Sequence, residues 1–129
     1  MLRTRWWEMQ FVTRPALVFF VLLTVACPAP AAESLDQSIN YLIDYIAHSN
    51  AIFFRNGVEH TPKQAANHVK AKYVHLKRKI GSPEDFIRLA ASKSVLTGKP
   101  YLVRTADGRE IPLEKWLTTA LQEHRAAGP

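Results

Sequence analysis

Five histidines, His48, His60, His68, His75 and His124, are the first side chains in this sequence that could carry chemistry. A zinc pair on one helix face needs two histidines four residues apart. His68 and His75 are seven apart, about two helical turns, so they cannot share one ion unaided. Hydrogen-bonded or solvated imidazoles are expected, with no metal and no other cofactor. Thr97-Gly98-Lys99 has the flavour of a phosphate loop, yet the earlier glycine is missing and Pro100 replaces the Ser/Thr that would meet magnesium. Ser92-Lys93-Ser94 is not Ser-x-x-Lys, and no Gly-x-Ser-x-Gly elbow occurs. No acidic pair has a spacing that suggests glycoside hydrolysis. The basic residues Lys70, Lys72, Lys77, Arg78 and Lys79 spread around a helix rather than lining one side. A solvated face is expected there, and no nucleic-acid partner.

A different polar set is expected to converge: Arg55, Asn56, His68, Lys72, Ser92, Ser94 and Tyr101. As a site, its positive charge suits a small anion such as a carboxylate or phosphate. As a scaffold, Arg55 would bond loop carbonyls of residues 92–99 and tie two hairpins together. A catalytic variant is a small hydrolase using His68 or His60 as base beside Ser92 or Ser94. Because no nucleophile–base pair can be read from spacing, a non-catalytic binding or interaction module is favoured.

These residues must be positioned by local elements whose signals are clear. Ser34-Leu35-Asp36-Gln37 is a capping box that opens a first helix near residues 34–50. Leu35, Ile39, Leu42, Ile43 and Ile46 form its apolar stripe. Asn56-Gly57, between Ile52–Arg55 and Val58–His60, is a hairpin turn, since both residues tolerate positive φ. In that hairpin Arg55 lies opposite Val58 and Phe53 opposite His60, all on one face. If Phe53 and Val58 face the core, Arg55 and His60 are partly buried and need partners. Thr61-Pro62-Lys63-Gln64 caps a second helix, near residues 62–80. Gly81 stops it, and Ser82-Pro83 starts a third, near residues 83–94, that leads into a polar loop from Ser92 to Pro100. The tight turn makes helices two and three antiparallel, which returns Ser92 and Ser94 toward the start of helix two. A second hairpin, Tyr101 to Ile111, turns on Asp107-Gly108, and a last helix near residues 113–125 buries Leu113, Trp116, Leu117, Ala120 and Leu121. The expected fold is a mostly helical α+β single domain, four helices and two short hairpins in the order α-β-β-α-α-β-β-α.

The chain has 129 residues, room for one domain. At 47% hydrophobic and 22% charged residues it is neither a disordered tract nor a polytopic membrane protein. One cysteine excludes a disulfide framework, a CxxC pair and a thiolate zinc site. Lys plus Arg is 17 against 11 Asp plus Glu, a net charge of +6. The N-terminus carries Arg3, Arg5 and Arg14, then an 11-residue apolar run from Ala16 to Ala26, then Cys27-Pro28-Ala29-Pro30-Ala31. That run is about half the length a membrane span needs. With the Ala-x-Ala site it reads as a signal peptide over 1–31, cleaved before Ala32, leaving a domain at 32–129 in the periplasm. Removing three arginines and one glutamate takes the net charge from +6 to +4. Leu23 to Cys27 loosely resembles a lipobox, so a lipoprotein anchored at Cys27 is the alternative. The membrane would be met only through the signal peptide or that lipid. The partner expected is an envelope protein or a small anionic ligand.

Two blocks carry a resemblance: Ile52-Phe53-Phe54-Arg55-Asn56-Gly57 with His60-Thr61, Ala65 and His68 to Lys72; then Glu84 to Ile87, Ala91 to Ser94 and Thr97 to Val103. Together they resemble the YfeK-like family of small exported proteobacterial proteins, over about Leu35 to Leu121. The resemblance implies an exported single-domain protein and, because the family is one of unknown function, no reaction.

Overall fold

The computed structural model describes residues 26–29 and 31–128. The charged and apolar parts of the expected signal peptide lie outside the described residues. The elements follow in the expected order. α1 (Leu35–Ala47) opens on its capping box, in which the Ser34 hydroxyl accepts from the Gln37 amide at 3.2 Å and the Gln37 side chain accepts from the Ser34 amide at 2.8 Å. α2 (Pro62–Leu76) repeats the device with Thr61 and Gln64 at 3.2 and 3.0 Å. Ser82 caps α3 (Pro83–Ala90) through the Asp85 amide. Each such cap contributes about 1 kcal/mol by satisfying amides that a helix start leaves unpaired. α4 spans Leu113–Ala127.

β1 (Ile52–Arg55) and β2 (Val58–His60) form the first hairpin, with Phe53 opposite His60 and Arg55 opposite Val58. Asn56 and Gly57 both have positive φ, 52° and 77°, as a two-residue turn of this hand requires. β3 (Leu102–Arg104) and β4 (Glu110–Pro112) form the second. Its turn is wider than Asp107-Gly108 alone. Thr105 pairs with Arg109, the Gly108 amide bonds the Thr105 carbonyl, and Gly108 alone takes positive φ, at 84°. A three-residue loop of this kind places Asp107 inside the turn, where the Thr105 hydroxyl and Arg109 draw its carboxyl down to about 2.

The two hairpins join through β1 and β3 into one antiparallel sheet, order β2-β1-β3-β4. One face takes Phe53 and Val103 into the core, where α2 packs at the β1–β2 end and α4 at the β3–β4 end. α1 contacts all three other helices, and Ile39, Leu42, Phe86, Leu117 and Leu121 fill the space between them. Each buried side chain of that size contributes about 1.5–3 kcal/mol. Val58 is the exception on the inner face: it is 58% exposed, because β2 is an edge strand.

Three helix ends fall short of the expected boundaries. α1 stops at Ala47, where the Ser49 amide and hydroxyl both turn to the Ile46 carbonyl. α2 tightens after Leu76 into a 3₁₀ turn at Lys77–Lys79, which swings Ile80 into the core. α3 ends at Ala90, not near residue 94. There the Ser92 hydroxyl donates to the Arg88 carbonyl, and Ser94 closes a turn through the Lys99 carbonyl and the Gly98 amide. Ser92 and Ser94 therefore stand in the loop.

At Gly57 an added Cβ would meet nothing within 4 Å, so its only penalty is the left-handed backbone. Gly57→Ala is expected to lower stability by about 1–2 kcal/mol. A urea titration should show the midpoint fall with the slope unchanged.

Candidate functional site

Arg55 ends β1 on the inner face, His68 sits on the second turn of α2, and Tyr101 immediately precedes β3. The β1–β3 pairing brings them together. Arg55 Nη1 lies 2.6 Å from His68 Nδ1 and 3.1 Å from Nε2, while Nε2 lies 3.0 Å from Tyr101 Oη. Lys72, one turn further along α2, donates to Tyr101 Oη at 3.3 Å and to the Lys93 carbonyl at 2.9 Å. Its ammonium also sits 5.0 Å from the Tyr101 ring centre.

Donor counting constrains the imidazole. A guanidinium only donates, so His68 must accept through one nitrogen and is neutral. Which nitrogen accepts, and so which way the His68–Tyr101 hydrogen bond runs, follows the imidazole tautomer. Burial favours that neutral ring first, and the charges of Arg55 and Lys72 add to it, holding His68 below its ordinary value. Tyr101 is buried, and burial pushes its phenol up. It keeps its proton. Its oxygen accepts from Lys72 and shares a hydrogen bond with His68.

The charge balance here is one-sided. Every ion pair among the described residues lies elsewhere: Arg88 with Asp85, Arg104 with Glu59 and Glu110, Arg109 with Asp107, His124 with Glu33, Arg125 with Glu84. Arg55 and Lys72 have no carboxylate. Burial and then Arg55 draw Lys72 below its ordinary value, so the two cations oppose one another. Beside them opens a cavity of about 370 Å³ between the sheet and α2. Phe53, Ala65, Val69 and Leu113 form its apolar wall, Arg55, His68 and Tyr101 part of its polar wall, and no acidic residue lines it. His60 lines it too, with its Nε2 the one buried side-chain polar atom among the described residues that has no partner. An unpaired buried group of this kind costs about 1–3 kcal/mol.

Of the residues singled out from sequence, Arg55, His68, Lys72 and Tyr101 form one connected cluster. Asn56 and Ser94 form another, in which Asn56 donates to the Ser94 hydroxyl at 3.4 Å and accepts from Thr97 at 2.6 Å, fastening the hairpin turn to the 92–100 loop. Ser92 stands apart on the Arg88 carbonyl. The tie between hairpin and loop expected of Arg55 is made instead by Asn56, because the Arg55 guanidinium turns toward α2. Among the described residues, neither His60 nor His68 reaches a serine hydroxyl, so the His/Ser pair of the hydrolase reading is not assembled. Nor are three or more His, Cys, Asp or Glu residues grouped to hold a metal ion among them. Sequence reasoning missed the cavity and the place of Gln64 and Asn67 on it. The hairpin register, which sets His60 beside Phe53, was the available signal.

The fold and site define a small α+β single-domain protein with a cationic, carboxylate-free cavity under its sheet. The chain belongs to the Family of unknown function (DUF5329), whose model matches residues 33–125. It is similar to the Uncharacterized protein YfeK of Salmonella typhimurium, 33% identical over 85 residues, covering 65% of this chain and 71% of that protein. No solved structure matches.

The depressed His68 has a stability consequence with a definite sign. In the unfolded chain this imidazole takes its proton near pH 6.5, whereas the folded protein resists it. Below that pH the unfolded state holds more protons, so stability falls as pH drops and is fully present above it. Thermal melts between pH 8 and 5 should show a decline that His68→Gln flattens. An equal slope in both proteins would show that His68 is not its source.

Proposed function

We propose that this chain is an exported, non-catalytic binding module of the cell envelope that holds an anionic group at Arg55. One observation carries the reading: two half-buried cations, Arg55 and Lys72, converge on a neutral imidazole and the Tyr101 phenol, with no carboxylate among the described residues to balance them. Natural sites rarely leave buried charge unmatched, and an incoming anion relieves the repulsion while gaining charge-assisted hydrogen bonds. A carboxylate or phosphate group, free or on an envelope partner, has the needed chemistry. Tyr101 and Arg55 would donate to it; Lys72 would supply charge from behind the phenol. His68 orients both, accepting from Arg55 and hydrogen-bonded to Tyr101.

Export is supported by the arginines at 3, 5 and 14, the apolar run to Ala26 and the Ala-x-Ala site before Ala32. A lipid on Cys27 is the other form of the same proposal. No observation favours the hydrolase.

Thermal melts with phosphate and with acetate test the site. Each anion should raise the melting temperature of the wild type. Arg55→Gln should remain as stable as wild type within about 1 kcal/mol, since it also removes a repulsion, and should lose the anion response. A variant that unfolds while wild type ignores both anions would make Arg55 purely structural. Intact mass of the envelope fraction tests export: the proposal expects a chain beginning at Ala32, or at a lipid-modified Cys27, and retained Met1 in the cytoplasm defeats it.

A further inference from the structure

We infer that the group held at Arg55 is the carboxylate of a small amphiphilic monoanion, an aliphatic or aromatic acid of about a dozen non-hydrogen atoms whose apolar body fills the cavity. The inference rests on the anion-binding reading and adds the chemistry of the rest of the ligand.

The cavity itself sets the body. Its wall beyond the polar cluster is Phe53, Val69 and Leu113, at 3%, 1% and 2% exposure, with Ala65 at 9%. These side chains offer a ligand dispersion contacts and nothing to hydrogen-bond. A hydrated ion such as sulfate or a sugar phosphate would leave that wall uncovered. At about 30 Å³ for each water-sized group, a space of about 370 Å³ takes roughly a dozen. That is the low end of small-molecule sites, which are apolar with a few convergent polar groups.

The polar cluster sets the head. Arg55 spends Nη1 on His68, and among the described residues its Nε and Nη2 make no hydrogen bond. Nε and Nη2 form one flat edge of the guanidinium, matched to the two oxygens of a planar carboxylate. Tyr101 adds a single O–H to one of those oxygens. A monoanion suffices because only one fork is free, and a second negative charge would face the apolar wall unpaired. Ala65 is the smallest side chain that α2 sets against the cavity, so a larger one there would take up part of that space.

The experiment is a calorimetric titration of the protein, as purified from its own compartment, with acetate, butyrate, hexanoate and octanoate, alongside octanamide and inorganic phosphate. The expected result is a Kd that falls about fourfold per added methylene until the cavity is full. Octanamide should bind at least tenfold more weakly than octanoate. Ala65→Leu should remove the chain-length dependence and leave acetate unchanged. Should that variant unfold, chemical-shift mapping on wild type replaces it: octanoate must perturb the Ala65 and Val69 methyls as well as His68, and acetate only His68. Carboxylates of every length binding equally, or phosphate binding more tightly than octanoate, would overturn the inference and leave the anion site standing. Failure of acetate, phosphate and octanoate alike would remove the anion site, and the inference with it.

Discussion

Everything in this fold hangs on β1 having a partner on each side. Two hairpins of three or four residues per strand are marginal structures in water by themselves. Pairing β1 with β3 makes them one sheet and gives Phe53 both His60 and Val103 as neighbours. Phe53 thereby becomes the point at which sheet, α2 and α4 meet, buried and edge-on to Trp116 at 5.7 Å. The same pairing fixes the site. Ile52 stands against Arg104 and Phe54 against Leu102, and this register leaves Arg55 and Tyr101 close enough to share His68. A one-residue slip would put Arg55 on the outer face.

What the sequence made legible was local. Three capped helix starts and the Asn56-Gly57 turn each depend on side chains within three residues of one another, and all four form as expected. The stops were harder to read, because they depend on competition. Ser49 and Ser92 each take a carbonyl the helix would have used, and nothing in periodicity says which bond wins. Least legible was anything joining distant segments. The β1–β3 ladder links residues about fifty apart in the chain, and no turn residue announces it. The polar set expected around Arg55 depends on such joins, the loop after α3 coming back to α2 where Lys72 meets the Lys93 carbonyl. Its division into a cationic half and an Asn56–Ser94–Thr97 fastening was not foreseeable, since Arg55 and Asn56 are adjacent in sequence yet point to different elements.

The fastening and the cationic cluster complement each other. Lys72 bonds the Lys93 carbonyl and Asn56 the Ser94 hydroxyl, so the loop preceding Tyr101 is held to both α2 and the first hairpin. Tyr101 is in turn anchored by its own backbone, the amide to Ser92 and the carbonyl to Leu113. Its phenol is thus placed by three elements before anything binds. That rigidity means little ordering is left to be done on binding.

Two arginines on this one sheet show that the missing carboxylate at Arg55 does not reflect a shortage of acids. Arg104 lies on the outer face, half exposed, where water would screen it adequately; even so it has Glu110 at 3.2 Å, Glu59 at 3.9 Å and the Phe54 ring beneath it at 4.7 Å. Arg55 lies on the inner face, where charge is more expensive to hold, and meets only a neutral imidazole and a second cation nearby. If stability alone shaped the sheet, the carboxylates would be on the other side. A glutamate at Val58, directly opposite Arg55, would supply one at no steric cost, because that position is more than half exposed. The chain carries valine there and glutamate one residue later, facing outward. That leaves the inner cation open, a partly desolvated guanidinium with no carboxylate among the described residues beside it.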